Sequence, residues 1–253
     1  MAAAEKITED TSAGTPRRED KQRRIRSYVR REGRLTRAQA RALRELLPRY
    51  GIGHPGPGLE PEAIFGRRAP LTLEIGFGNG EALLSAARAH PERDYLGVEV
   101  HRPGVGRLLN GLAEAALENV RVICADAAEV VRDRLPDDCL DACWIFFPDP
   151  WPKKRHHKRR LIQPGFAHAL ASRLKAGGIL HLATDWTDYA EHMLEVLDAE
   201  PLLVNTAGRG RCSERPEWRP ETRFEARGAR RGHPVHDLVY ERANPDDVGR
   251  PGK

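Results

Sequence analysis

The chain has 253 residues, 40% hydrophobic and 31% charged, with 42 Lys and Arg against 37 Asp and Glu for a formal net charge of +5. That length allows one substantial core with appendages, and no apolar run approaches the ~20 residues needed to span a bilayer. The opening MAAAEKITEDTSAG has no apolar centre of the signal-peptide kind, so a cytoplasmic protein with an anionic partner is expected.

Residues 1–16 are small, polar and aperiodic, which predicts a disordered tail. Residues 17–62 read as a basic amino-terminal arm and linker. From Arg17 to Arg44 there are twelve Lys and Arg against three acids, which suits an arm that folds onto RNA or equally a solvated extension. Ile25, Tyr28 and Val29 predict one short helix, and Ala40, Leu43, Leu46 and Leu47 a second. Gly51 to Glu62 is dense in glycine and proline and reads as a linker.

From Leu71 the pattern alternates. Strands are predicted at Leu71–Ile75, Tyr95–Val100, Val120–Cys124, Leu140–Phe147 and Ile179–Ala183, with two more near Leu202–Asn205 and Val235–Arg242. Helices fall between them, at Gly80–His90, Val105–Leu117, Ala127–Val131, Pro164–Leu174 and Tyr189–Leu197, and Gly177-Gly178 is expected to close the fourth. Repeated β-α units imply an α/β domain over 63–243, Rossmann-like, with a mostly parallel sheet whose ligands bind at the carboxyl ends of the strands. A short tail, 244–253, follows. Cys124, Cys139, Cys143 and Cys212 form no CxxC pair, so no metal is expected and the thiols read as reduced and mostly buried.

Two stretches carry chemistry. In LEIGFGNG, Glu74, Gly76, Gly78 and Gly80 end the first strand, where glycines let a nucleotide-like ligand approach the backbone. Glu99 ends the second strand, placed for a ribose diol, and Asp126 follows the third, level with an adenine edge or as a helix cap. An NAD enzyme shares the Glu99-type acid. However, Glu81 replaces the third glycine of a dinucleotide fingerprint, and Glu74 would repel a pyrophosphate. Acids instead favour S-adenosylmethionine, which carries a sulfonium and an ammonium.

The second stretch is FFPDPWPKKRHHKRR, Phe146 to Arg160. Two prolines force Asp149 out of a strand end on a stiff turn. Trp151 offers a ring to stack on a base or to cap the core. Lys153, Lys154, Arg155, Lys158, Arg159 and Arg160 then form a cationic strip with no acid among them, suited to phosphates or idle in solvent.

With these residues assembled, the chain resembles the bacterial tRNA (guanine-N7-)-methyltransferase family over roughly Ile25 to Arg242. The resemblance rests on IRSYVRREGRLT, LEIGFGNG, GVEVH, FFPDPWPKKRHHKRRL, ATDWTDYAEHM and TRFEARGARRGHPVHDLVYER. It implies a seven-stranded methyltransferase sheet with a reversed last strand, S-adenosylmethionine as donor, and the variable-loop guanosine of tRNA, position 46, as acceptor. Cofactor contacts are implied at Glu74, Gly76, Glu99, Asp126 and Asp149, with Asp149 as the catalytic aspartate. Substrate contacts are implied at Lys153, Asp185 and Thr222, Arg223, Phe224 and Glu225. Asp185 also reads as a helix cap. Rival readings are a methyltransferase for another RNA or an amine, and a tRNA-binding protein without turnover. The sequence distinguishes neither monomer nor homodimer.

Overall fold

The computed structural model describes residues 33–219, 225 and 234–244. Its seven strands form one sheet: β1 (Leu71–Ile75), β2 (Asp94–Val98), β3 (Val120–Ile123), β4 (Leu140–Phe146), β5 (Leu174–Thr184), β6 (Leu203–Asn205) and β7 (His236–Arg242). Their spatial order is β3-β2-β1-β4-β5-β7-β6. The pairs from β3 through β5 are parallel, and β7 runs antiparallel to both its neighbours, so the reversed strand is the last one, as expected.

All five residues of β1 are buried, because this central strand is covered on both faces and needs apolar side chains on each. Strand alternation divides the rest into two cores. Cys143, Ile145, Leu180, Leu182 and Leu238 face α6 (Ala127–Asp133), α7 (Pro164–Arg173) and α8 (Thr187–Asp198). Trp144, Phe146 and Tyr95 face α4 (Glu81–Ala89) and α5 (Arg102–Glu114). Fully burying one such aliphatic side chain stabilises the fold by roughly 1.5–3 kcal/mol.

The amino-terminal region is more closely attached than its composition suggests. The helix expected around Ala40–Leu47 divides into α1 (Arg37–Glu45) and α2 (Leu47–Tyr50), with Pro48 in the first turn of α2, where a missing N–H is tolerated. Thr36 and Gln39 form a capping box at the start of α1, and Ala42 and Leu43 bury its inner face against the α5 side of the sheet. The stretch read as a linker is folded onto the domain. Ile52 N–H donates to the Val122 carbonyl at 2.8 Å, and the Arg134 guanidinium donates to the Gly53 and Pro57 carbonyls, both at 2.6 Å. The boundary placed after Glu62 falls inside α3 (Pro61–Phe65). Backbone carbonyls satisfied by a distant arginine leave no trace in composition, which is why the segment read as free. The helix expected at Ile25–Val29 and both terminal tails, apart from Asn244 itself, lie outside the described residues.

Two further expectations change. Gly177 and Gly178 do not close α7, which ends at Arg173 with β5 starting at once. They form an irregularity inside β5, where the pairing with β4 jumps between Leu140 and Ala142. The cysteines divide evenly: Cys143 is buried and Cys139 half-buried, whereas Cys124 and Cys212 are exposed in loops. Burial pushes the Cys139 thiol up to about 12 and Cys143 well above its ordinary range, leaving both unreactive. No described helix is long and apolar enough to cross a membrane.

Candidate active site

The carboxyl ends of β1, β2, β4 and β5 meet where the chain order reverses, and the expected acids gather there. Gly76, Gly78 and Gly80 all have positive φ (72°, 54° and 76°), so the turn after β1 uses a backbone other residues resist. A Cβ on Gly80 would lie 2.6 Å from Leu108 Cδ1. The start of α5 presses on the same turn, since a Cβ on Gly104 would sit 2.0 Å from the Gly78 carbonyl oxygen. Gly104 was not singled out from sequence. Its signal was available, because a glycine inside a helix costs about 1 kcal/mol and calls for a packing reason.

Glu99 and Glu74 occupy contrasting environments. Glu99 Oε2 accepts from Gly78 N–H at 2.9 Å, and its Oε1 accepts from Val100 and His101 N–H at 2.7 and 2.8 Å. Its carboxylate therefore stitches the glycine turn to the end of β2. Glu74 is buried and its Oε2 has no hydrogen-bond partner. Burial, with the neighbouring Glu99 charge adding to it, pushes its pKa up to about 8. Asp126 caps α6, accepting from Ala128 N–H at 2.9 Å.

After β4 the chain turns sharply. Phe147 and Trp151 both have positive φ (52° and 45°) and bracket Pro148-Asp149-Pro150. Non-glycine residues hold that conformation only where the surroundings over-determine it. Phe147 N–H donates to the Ala183 carbonyl at 2.7 Å, keeping the turn on β5. Asp149 is exposed beyond it. Asp185 follows β5 and is half-buried. It does not cap α8, whose N-cap is Trp186 with no side-chain cap bond; Thr184 Oγ1 accepts the Trp186 N–H instead, at 3.2 Å. Asp149, Asp185 and Lys153 make no side-chain hydrogen bond or ion pair to another described residue.

The cationic strip folds as a 3-10 helix, Lys154–Arg159, preceded by exposed Lys153. Arg159 lies over the Trp151 ring, 5.0 Å from its centroid, and His156 meets that ring edge-on at 5.7 Å. One face of Trp151 is thus occupied by its own strip. Arg160 departs from the strip entirely and is buried.

Over the Phe146 and Phe147 rings, the described residues before β7 carry a network that sequence reasoning missed. Arg219, fully buried, donates to both Glu225 oxygens at 2.7 and 2.8 Å and to Asp237 Oδ2 at 3.1 Å. Asp237 Oδ1 lies 2.7 Å from His181 Nε2. Trp218 stacks on Trp144 with centroids 4.9 Å apart. Glu225, expected at the substrate, is buried in an ion pair, sharing with Asp237 the compensation of the buried Arg219 charge. Thr222, Arg223 and Phe224 lie outside the described residues.

A family model described as "Putative methyltransferase" matches residues 68–238. Over 220 residues the chain is 61% identical to a tRNA (guanine-N(7)-)-methyltransferase of Alkalilimnicola ehrlichii, covering 86% of this chain and 92% of that one. It is 57% identical over 228 residues to the enzyme of that name from Halorhodospira halophila, covering 90% and 98%. For that of Methylococcus capsulatus the identity is 55% over 224 residues, covering 88% and 96%. Among solved structures, the 16S rRNA methyltransferase KamB aligns with a TM-score of 0.55 over 78% of this chain and 100% of that one, at 14% identity, a likeness of fold.

Proposed function

The chain belongs to the tRNA (guanine-N7-)-methyltransferase family, and from that premise we propose that it methylates N7 of a guanosine in the variable loop of tRNA, position 46, in the cytoplasm. The observation that carries this reading is the pair of acids, Asp149 and Asp185, without a side-chain partner among the described residues, at the carboxyl ends of adjacent strands β4 and β5, with exposed Lys153 and a cationic 3-10 helix following the first.

The cofactor end fits S-adenosylmethionine. A buried carboxyl with an unpartnered oxygen, next to a second acid, suits a sulfonium and an ammonium and would repel a pyrophosphate. Glu74, Gly76, Glu99, Asp126 and Asp149 are the residues that would hold it. Bound there, S-adenosylmethionine supplies an electrophilic methyl group.

Guanine N7 has a lone pair and no proton at neutral pH, so the protein needs no general base. Its task is alignment and stabilisation of the positive charge that the purine gains. Asp149 accepts the N1 and exocyclic amino hydrogens of guanine, and Asp185 faces the ring from the β5 side. Each favours a purine turning cationic. Lys153 and its exposed neighbours hold phosphates, which supplies affinity and orientation without sequence readout. Thr222, Arg223 and Phe224 are proposed as further acceptor contacts, next in sequence to Glu225, which pairs with Arg219.

The test is mass analysis of nucleosides from bulk tRNA incubated with the protein and S-adenosylmethionine. N7-methylguanosine is the expected product. Methylation of another base or of an amine overturns the assignment, as does tRNA binding with no methyl incorporation.

A further inference from the structure

Arg160 ends the run KKRHHKRR, but its side chain is only 1% exposed and cannot serve a phosphate as its neighbours do. Its Nε donates to the Pro150 carbonyl at 3.0 Å. Its terminal nitrogens pair with the Asp188 carboxylate and reach the Asp188 carbonyl at 3.5 Å. The guanidinium carbon lies 4.8 Å from the centroid of the Tyr189 ring. Pro150 adjoins Asp149, and Asp188 stands three residues beyond Asp185, at the start of α8.

One buried guanidinium therefore bridges the two segments that carry Asp149 and Asp185. Tyr189 joins them a second time, its hydroxyl oxygen accepting from Ile162 N–H at 3.2 Å. Between these ties, the turn holds Phe147 and Trp151 in a left-handed backbone that requires outside support.

We infer that Arg160 is a positioning residue, a strut whose length sets the gap between Asp149 and Asp185 and hence the slot that grips the acceptor base. This rests on the reading above, in which those acids hold guanine. Lysine cannot replace the strut, since a single ammonium cannot pair with Asp188, donate to Pro150 and lie flat on Tyr189 at once.

The experiment compares Arg160→Lys with Arg173→Lys in the full chain. Arg173 is also largely buried, at 16% exposure, but lies where α7 meets β5, donating to the Val131 carbonyl at 3.0 Å and pairing with Asp137. Each variant is scored for Tm, for stoichiometric binding of S-adenosylhomocysteine, and for kcat and KM toward tRNA per binding-competent molecule.

Both variants are expected to lose Tm and to bind the cofactor product normally. Arg160→Lys alone is expected to lose about 100-fold in kcat, as a small misplacement at the reacting centre does, with KM within roughly 3-fold. A wild-type kcat in Arg160→Lys, or an equal loss in Arg173→Lys, overturns the strut. Should Arg160→Lys fail to bind S-adenosylhomocysteine, Asp188→Asn removes only the exposed partner. It is expected to lose about 10-fold in kcat, and an unchanged rate overturns the inference. Wild-type protein run alongside separates the two claims, because absence of N7-methylguanosine there sinks the reading of the site and not the strut.

Discussion

Two buried arginines pin loops to this sheet, and they treat nearby carboxylates in opposite ways. Arg219, before β7, binds Glu225 and Asp237, and His181 takes a remaining Asp237 oxygen, so both of these acids are engaged by the protein itself. Arg160, after β4, binds one exposed acid and the Pro150 and Asp188 carbonyls, while Asp149 and Asp185 beside it make no side-chain hydrogen bond or ion pair to another described residue. The same contrast separates Glu99, which accepts three backbone N–H groups, from Glu74, with a bare buried oxygen. Glu99 thus shapes the glycine turn as well as offering its edge to a ligand, while Glu74 keeps one oxygen without a hydrogen-bond partner among the described residues.

Breaking each arginine's region should give opposite phenotypes. Arg219→Met removes the buried counter-charge shared by Glu225 and Asp237, leaving only the more exposed Arg215 beside Glu225 and His181 beside Asp237, and is expected to lose about 3–5 kcal/mol of stability in urea denaturation. Asp149→Asn should reverse the pattern. Stability is expected to stay within about 0.5 kcal/mol, since the side chain is exposed and makes no hydrogen bond or ion pair to another described residue. Its kcat for tRNA should fall roughly 10²–10³-fold, the loss seen when one preorganised electrostatic group is removed. Near-normal turnover in Asp149→Asn would contradict the role given to that acid.

The Asp149 side of this comparison was legible in the sequence, and the Arg219 side was not. Prolines flanking Asp149, glycines spaced around the β1 turn and acids at strand ends are local signals, because each works through the backbone of its own few residues. Strand positions were equally local, and β1 matches its expected limits. Arg219 and Asp237 are eighteen positions apart, and Asp237 and His181 fifty-six, so only the fold brings them together. Arg160 was misassigned for a related reason. Composition counts it with five exposed cations, while its burial depends on α8 arriving from a later part of the chain. The Gly51–Glu62 segment misled through its own richness in glycine and proline, since Arg134 satisfies its carbonyls from elsewhere in the chain.

Glu74 sharpens the comparison by pH. Its pKa of about 8 lies above the ordinary 4.5, so the ligand-free fold keeps a proton that the unfolded chain releases. Stability without ligand should therefore decline as pH rises from about 4.5 and level off near 8. A cationic ligand favours the ionised form, so binding expels that proton. The affinity of S-adenosylhomocysteine, which keeps the ammonium, should rise by up to about tenfold per pH unit between roughly pH 6 and 8. Titration calorimetry on Glu74→Gln should show that slope flattened; an unchanged slope would assign the proton to another group.

The smallest effect tests whether the strip and the strut are separate devices. Lys153 and Lys154 are exposed, and each phosphate they neutralise releases condensed counterions, adding about 0.7–0.9 to the slope of log K against log salt. The variant Lys153→Gln with Lys154→Gln should bind tRNA with a slope shallower by about 1.5 and with kcat nearly intact at saturating tRNA. Arg160→Lys should show the reverse, a full salt slope with a depressed kcat, because a guanidinium sealed between Pro150 and Tyr189 meets no phosphate. If both variants changed the slope alike, Arg160 would belong with the phosphate-binding cations after all, and burial would have been the wrong criterion for dividing the run at residue 160.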